Sequence, residues 1–207
     1  MTEPWRFVPL AGILLFFVLG LGVRSWLHTR RYGSTGFVLF RGGTPWERAL
    51  AALGVVIPVA LLAQATVAAI DPQAVRCVVP ASLTPALSVL GAVLLFGGTL
   101  LMFVAQLHMG ASWRVGLEDR HPGALVTAGL YRYSRNPIYA FMFVSFAGVG
   151  LLLPTWWLLA TVAGGVIGIR TWVVRVEEVH LVATYGPAYR TYAARVGRFL
   201  PLIGRLR

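Results

Sequence analysis

The sequence contains no lysine and one cysteine, and charged residues make up only 12% of its 207 positions. The lone Cys77 excludes an internal disulfide and a cysteine-based metal cluster, and we predict no metal site. The eighteen basic residues are all arginine, and they flank apolar runs without forming a basic arm. We therefore expect no nucleic-acid partner, because this distribution is typical of the positive charge that membrane proteins keep on their cytoplasmic side.

Hydrophobic residues make up 57% of the chain, and its mean hydropathy is +0.74. These values are typical of a polytopic membrane protein. The length leaves room for about four to six spanning helices of roughly 20 residues each. We predict an all-α bundle that forms one integral membrane domain over residues 1–207, with N-terminal spans in 7–108 and a catalytic half in 109–207.

Long uncharged runs mark the spans. Three of them, Phe7 to Val23, Ala49 to Ile70 and Leu87 to Leu107, each fit one helix. The fourth, Ile138 to Ile169, would make a helix of about 48 Å, longer than the roughly 30 Å of a hydrocarbon core. It must therefore turn, and the stretch Leu153 to Trp157 is the predicted turn, because proline ends helices and tryptophan favours the interface. The sequence thus predicts about five spans, the last two forming a hairpin.

The arginines are distributed unevenly between the two sides of this topology. Sixteen lie in the basic, glycine-rich loop Arg24 to Arg48, in the loop Met109 to Asn136 and in the tail. Only Arg6 and Arg76 lie on the opposite side. This bias predicts an N-terminus outside the cell and a C-terminus in the cytoplasm.

Two polar clusters bracket the hairpin. The first is the strip Tyr131 to Tyr139, and the second, which follows the hairpin, contains two arginines and two glutamates. The clusters meet if the hairpin folds back on itself. In the first cluster, Asn136 and Pro137 fix a helix start beside Arg135, an arrangement that favours an anion such as a carboxylate.

The second cluster consists of Arg170, Arg175, Glu177 and Glu178. Glutamates are costly beside a membrane unless a positive or hydrogen-bond-donating group meets them. Arg175 is placed to pair with Glu178 three residues later, and Arg170 lies on the same helical face as Glu177. One structural ion pair would satisfy only one acid, so the other is a candidate functional group.

The tail carries one more pattern, an apolar stripe at steps of four and three residues. Its arginines fall off the stripe, so we predict a cytoplasmic amphipathic helix in or near the membrane surface. A plain membrane anchor is the alternative. The stripe consists of Tyr185, Tyr189, Tyr192, Val196 and Phe199.

Three stretches carry a resemblance to a known family. They are Gly110 to Arg114, Leu125 to Tyr139, and Glu177 to Leu181 continued by Tyr185 to Tyr192. Together they resemble the isoprenylcysteine carboxyl methyltransferase family and its bacterial relatives over roughly the C-terminal half. The resemblance implies an integral enzyme of a bacterial-type inner or plasma membrane, with its active site facing the cytoplasm. It also implies that S-adenosylmethionine binds from the cytosol and that a lipophilic acceptor enters from the bilayer.

Roles follow from the resemblance position by position. Arg135, Asn136, Pro137 and Tyr139 match the family's Arg-His-Pro-x-Tyr element, although Asn136 replaces the histidine and Phe141 stands near a common glycine. Either Arg170 or Arg175 matches the family's arginine, and the paired glutamates match its acids. The candidate catalytic residues are Arg170, Glu177 and Tyr139. The candidate cofactor-binding residues are Tyr131, Arg135, Asn136, Pro137, Tyr139, Glu177, Glu178, Gln106 and His108.

The sequence leaves the acceptor open among a carboxylate, an amine, a thiol and a phenol. A carboxylate needs no general base, whereas an amine or a thiol makes His108, His121 and His180 relevant. Two other functions stay open: an NADPH-dependent membrane reductase of the sterol-reductase type, and a non-catalytic lipid-binding membrane protein. The sequence makes no prediction of oligomeric state.

Overall fold

The structure, a computed structural model, describes residues 3–39, 44–75, 84–116 and 123–206. Cys77 and His121 lie outside the described residues. The helices are α1 (Val8–Phe17), α2 (Arg24–Tyr32), α3 (Pro45–Ile70), α4 (Thr84–Met109), α5 (Pro137–Leu152), α6 (Trp156–Trp172) and α7 (Glu178–Arg195). Two π-helical segments, Val18–Val23 and Val173–Glu177, join α1 to α2 and α6 to α7. The described ranges contain no β-strand, so the predicted all-α fold is confirmed.

Four helical stretches are long and apolar enough to cross a membrane. They are Trp5–Tyr32, Pro45–Ile70, Pro85–Ser112 and Trp156–Arg195. A shorter apolar helix, Pro137–Leu152, precedes the last of them. With this short helix they account for the five predicted spans, and the protein is an integral membrane protein.

The first helix runs further than we predicted. It continues through a π segment into α2, and Gly33, with a φ of 72°, ends it. We expected a loop from Arg24, but Arg24 is buried and donates to the carbonyl oxygens of Gln106 and Gly110 at 3.3 and 2.7 Å. Its guanidinium also lies over the Trp113 ring. This arginine therefore caps the C-terminus of α4, where carbonyl groups and the helix dipole favour a cation.

Side-chain caps set the starts of two other helices. α3 begins at Pro45, ahead of the predicted Ala49, because Thr44 and Glu47 form a capping box. α6 begins after the turn Leu153–Thr155, where the Leu158 N–H donates to the Thr155 hydroxyl at 3.1 Å. The hairpin turn therefore lies where the sequence predicted it.

Glycines allow α4 and α5 to touch backbone to backbone. A Cβ on Gly98 would lie 2.7 Å from the amide nitrogen of Ser145, and a Cβ on Gly91 would lie 2.9 Å from the carbonyl oxygen of Gly148. A Cβ on Gly97 would meet nothing within 4 Å. The close approach of the two backbones therefore depends on Gly91 and Gly98.

The tyrosines of the predicted stripe lie on α7 and face protein. Tyr189 is buried, and the Tyr192 hydroxyl donates to the carbonyl oxygen of Tyr131 at 2.6 Å. The Tyr185 hydroxyl donates to the carbonyl oxygen of Gly123. The stripe therefore fastens α7 to the segment that leads into α5.

Residues 196–206 form a hook that folds back over the start of α5. We expected Val196 and Phe199 to extend the helical stripe, and this expectation is wrong, because α7 ends before them. The hook backbone instead bonds to the residues just before α5: the Arg135 N–H donates to the carbonyl oxygen of Gly197 at 2.9 Å. Hydrogen bonds to another segment thus replace those that would have continued the helix.

Candidate active site

The start of α5 is held by the hook. The backbone N–H and the side-chain amide of Asn136 both donate to the carbonyl oxygen of Arg198, at 3.1 and 3.0 Å. The Arg135 guanidinium donates to the carbonyl oxygen of Gly204 at 2.7 Å. Arg135 and Asn136 are both buried. The Asn136 amide therefore fastens the hook to the start of α5.

Arg135, Glu178 and Arg198 form a buried charge cluster. A guanidinium nitrogen of Arg135 lies 2.8 Å from Glu178 Oε1. Arg198 donates from Nε and Nη2 to the two carboxylate oxygens of Glu178, each at 2.9 Å. This paired hydrogen bond raises the pKa of Arg198. The two polar clusters thus meet as predicted, but Glu178 pairs with Arg135 and Arg198 in place of Arg175, which is exposed.

Glu177 faces a different environment from its neighbour. It is the last residue of the second π segment, and its side chain interacts with that of Tyr139 at the first turn of α5. The Trp172 side chain also interacts with Tyr139. Burial raises the pKa of the nearby Tyr131 phenol, and the charge of Glu177 raises it further. The adjacent glutamates therefore serve two separate sets of partners.

One cavity of about 390 Å³ extends from this polar region into the membrane-spanning part of the protein. Its polar wall contains Arg135, Asn136, Tyr139 and Glu177, and further along it includes Gln106. Its apolar wall is formed by residues from α1, α3, α4, α5 and α6. These residues include Phe16, Leu50, Ile57, Met102, Met142, Phe146 and Ile169. A volume of this size suits a small-molecule ligand.

Several buried polar atoms of cavity-lining residues have no hydrogen-bond partner among the described residues. They are Nε and Nη1 of Arg135, Oε2 of Glu177, Oε1 of Gln106 and the Tyr189 hydroxyl. Buried polar groups in native proteins are nearly always hydrogen-bonded, so several unpartnered ones in residues around one cavity point to a ligand or ordered water beside them. Among these atoms, the two Arg135 nitrogens are free to donate hydrogen bonds to a ligand, and Glu177 Oε2 is free to accept them.

The profile of the phospholipid methyltransferase family matches residues 80–188, which is more than half of the chain. The chain belongs to the phospholipid methyltransferase family. Its fold is similar to that of the eukaryotic intramembrane Ras methyltransferase ICMT, isoprenylcysteine carboxyl methyltransferase, with a TM-score of 0.61. The two are 20% identical over all of this chain and 71% of that one. No curated protein matches the chain.

In this methyltransferase, most of the predicted cofactor-binding residues line the cavity. Tyr131, Arg135, Asn136, Tyr139, Glu177 and Gln106 do so. Two others do not line the cavity but support residues that do. Pro137 is the first residue of α5, and Glu178 forms the ion pair with Arg135. His108 is exposed and accepts a hydrogen bond from the Leu130 N–H at 3.3 Å. The predicted roles in binding and catalysis stay predictions.

The structure does not bring Arg170 to the cavity. Arg170 and Arg175 are both exposed on the outer side of the helix, so neither candidate for the family's arginine lines the wall. The catalytic role predicted for Arg170 remains untested, and the geometry gives it no support. His180 does line the cavity, with Nε2 3.4 Å from the Thr184 hydroxyl.

Sequence reasoning missed three residues of the candidate site. Arg198 pairs with Glu178, Tyr189 lies beneath the Arg135 guanidinium at 5.9 Å, and Trp172 contacts Tyr139. The tyrosine stripe was a signal for Tyr189, because aromatic residues at helical spacing mark a packed face. Arg198 lies after the end of the helix, and local sequence carries no sign of its distant partner.

Proposed function

We propose that this methyltransferase transfers a methyl group from S-adenosylmethionine to a lipophilic acceptor held in the apolar part of the cavity. The observation that carries the proposal is the continuity of one cavity between unpartnered polar atoms and a wall of membrane-spanning helices. A cofactor with charged groups suits the first part, and an acceptor dissolved in the bilayer suits the second.

The residues present fit S-adenosylmethionine. Arg135 would hold its carboxylate through Nε and Nη1, the guanidinium atoms that lack partners. Glu177 would accept hydrogen bonds from its ribose hydroxyls or its ammonium group through Oε2. The aromatic faces of Tyr139 and Trp172 suit a sulfonium cation. When bound, the cofactor supplies a methyl group on a positively charged sulfur, which is open to in-line displacement.

The protein's own contribution is to position the reactants and to keep water away. Glu178 holds Arg135 and is itself held by Arg198, so the Arg135 guanidinium is kept in one position beside the cavity. Apolar side chains line most of the remaining space, and a dry pocket strengthens each polar contact made within it. Positioning of this kind is the main requirement of a displacement that needs no covalent intermediate.

The first experiment is a calorimetric titration of the detergent-purified protein with S-adenosylhomocysteine. We expect saturable binding that weakens about 10- to 100-fold in Glu177→Gln, because one charge-assisted hydrogen bond is lost. Arg175→Gln is the matched control, since it changes a charge two positions away on an exposed surface. A folded native protein that binds NADPH and not S-adenosylhomocysteine would overturn the proposal in favour of a reductase. Binding of neither ligand would favour a non-catalytic protein.

The acceptor class requires a separate measurement. Purified protein is incubated with a membrane lipid extract and methyl-labelled S-adenosylmethionine, and the label is followed into the lipid fraction. We expect labelled lipid with the native protein and a large loss with Glu177→Gln. The chemical stability of the label then separates the acceptors, because a methyl ester is released by mild base and an N-methyl amine is not.

A further inference from the structure

The hook exposes apolar side chains to the outside, although its own backbone groups are hydrogen-bonded to one another. Leu200, Leu202 and Ile203 are 57%, 66% and 63% exposed. The Arg198 N–H donates to the carbonyl oxygen of Ile203 at 2.8 Å, and the Ile203 N–H donates to that of Leu200 at 3.3 Å. A frayed terminus would lack such hydrogen bonds. The exposed side chains therefore belong to an ordered loop, and their exposure needs another cause.

Leu202 at the tip of the hook has an unusual backbone conformation. Its φ is 67°, and it is the one non-glycine residue with a positive φ in the described chain. Residues with a β-carbon avoid this left-handed region, apart from asparagine and aspartate, which enter it more readily. At an exposed position 202, asparagine would fit the left-handed backbone and would also be well solvated by water. A leucine at this position indicates that the apolar side chain itself is used.

The hook lies at the level of a membrane-spanning helix. The ring of Phe199 packs against that of Phe143 in α5, with 5.2 Å between their centroids. α5 has 16 residues, which give a length of about 24 Å against roughly 30 Å for a hydrocarbon core. The hook covers the first turns of this short helix, so its exposed apolar side chains lie at the edge of the apolar layer.

The exposed charges of residues 123–206, the part of the chain that contains the hook, have one sign. Within residues 123–206, every exposed charged side chain is an arginine, while Glu178 is buried and Glu177 is half-buried. Arginine beside apolar side chains is the composition that binds the headgroup region of anionic lipids. The exposed arginines are Arg132, Arg170, Arg175, Arg190, Arg195 and Arg205.

We propose that the hook inserts Leu200, Leu202 and Ile203 into the interface of an anionic bilayer. The same loop offers the carbonyl oxygens that bind the Arg135 and Asn136 N–H groups. Contact with the bilayer therefore also keeps the start of α5 in place, and the membrane acts as a support for the cavity wall.

Insertion is tested with a fluorescent label on the full chain in lipid vesicles. Cys77→Ser removes the native thiol, and Leu202→Cys carries the environment-sensitive probe NBD. Val93→Cys, 62% exposed on a membrane-spanning helix, is the lipid-facing control, and Thr35→Cys in an exposed loop is the water-facing control. We expect headgroup-level nitroxide lipid to quench the probe at 202 several-fold more than that at 35. We also expect this quenching to increase when phosphatidylglycerol replaces part of the phosphatidylcholine.

Quenching of the probe at 202 by aqueous iodide, and not by lipid, would overturn the proposal. Protection from both quenchers would also overturn it, because a second copy or another protein would then cover the hook. Equal lipid quenching in neutral and anionic vesicles would overturn the role of the arginines.

The support of the cavity wall is tested by amide hydrogen exchange in anionic vesicles. Leu202→Asn removes the apolar side chain but suits the left-handed backbone, and Leu202→Met keeps an apolar group as the matched control. We expect a peptide that contains Arg135 and Asn136 to exchange several-fold faster in Leu202→Asn than in the native protein or in Leu202→Met. Equal exchange in all three proteins would overturn this part of the proposal. The readout is independent of cofactor binding.

Discussion

Arg135 and Glu178, from the two polar clusters that bracket the apolar hairpin, form an ion pair with 2.8 Å between guanidinium nitrogen and carboxylate oxygen. Their side chains are only 1% and 7% exposed. Removal of one member of such a pair leaves the other charge buried without its counterion. The ion pair therefore gives both residues a part in the stability of the fold, apart from any part in ligand binding.

Glu178→Gln should lower the free energy of unfolding by about 3–5 kcal/mol, because Arg135 then stays buried without a carboxylate. The measurement is unfolding in mixed detergent–SDS micelles, followed by tryptophan fluorescence. Arg175→Gln, on the exposed side of the same region, should stay within about 0.5 kcal/mol of the native protein. Equal stability of Glu178→Gln and the native protein would show that the ion pair contributes nothing.

Tyr139→Phe should weaken S-adenosylhomocysteine binding about 2- to 10-fold, the usual effect of one lost hydrogen bond. The Tyr139 side chain interacts with Glu177 on the cavity wall. Tyr133→Phe removes the same hydroxyl from a residue that is 61% exposed, and it should leave the affinity unchanged. An equal loss in both variants would mean that the hydroxyl of Tyr139 has no specific part in binding.

Arg170→Gln should leave both cofactor affinity and methyl transfer into lipid within about twofold of the native values, as expected for a surface substitution. Arg170 is exposed and does not line the cavity. The assay compares it with Glu177→Gln in the same vesicles. A loss as large as that of Glu177→Gln would restore the catalytic role that the family resemblance suggested.

Gly98→Ala should destabilise the protein by about 1–3 kcal/mol, because the new methyl group overlaps the backbone of α5. Its Cβ would lie 2.7 Å from the amide nitrogen of Ser145. Gly97→Ala, one position away, meets no atom within 4 Å and should be neutral or stabilising by up to about 1 kcal/mol. The test is SDS-induced unfolding of both variants, and equal stability of the two would contradict the close approach of α4 and α5.

Stability should decrease as the pH rises above about 10, the ordinary pKa of tyrosine. Burial raises the pKa of Tyr131 in the folded protein. Above pH 10 the unfolded chain therefore loses this proton while the folded protein keeps it, and proton release favours unfolding. Tyr131→Phe should reduce the alkaline loss by up to about 1.4 kcal/mol per pH unit. An unchanged pH slope would show that Tyr131 ionises freely in the fold.

The all-α fold, the spans and the hairpin turn were predictable because each depends on local sequence. A long apolar run has to cross the bilayer, and Pro154 with its neighbouring tryptophans is the one place where the longest run can end. The same reasoning failed at Arg24. A charged residue next to an apolar run predicts the end of a helix, yet tertiary contacts with the carbonyl groups of Gln106 and Gly110 keep Arg24 inside the helix.

The candidate site was predictable where a residue lies in one of the two polar clusters. Arg135, Tyr139 and Glu177 stand out against apolar surroundings, and the hairpin brings them together. Arg198 does not stand out, because it is one of many arginines in the tail and its partner, Glu178, lies 20 positions away. The partner of each glutamate could not be assigned either, since the local spacing favoured Arg175.

The two π segments have a consequence for how this chain is aligned with its relatives. A π turn holds one residue more than an α turn, so removal of that residue leaves an α turn and keeps the residues after it on the same face. A one-residue deletion within Val173–Glu177 would therefore keep Glu178 beside Arg135, whereas a deletion in the α-helical part of α6 would rotate α7 by about 100°. A deletion within Val18–Val23 would likewise keep Arg24 at the end of α4. Alignment gaps at these two places are therefore compatible with the same site, whereas gaps elsewhere in the same helices mark proteins in which the site is built differently.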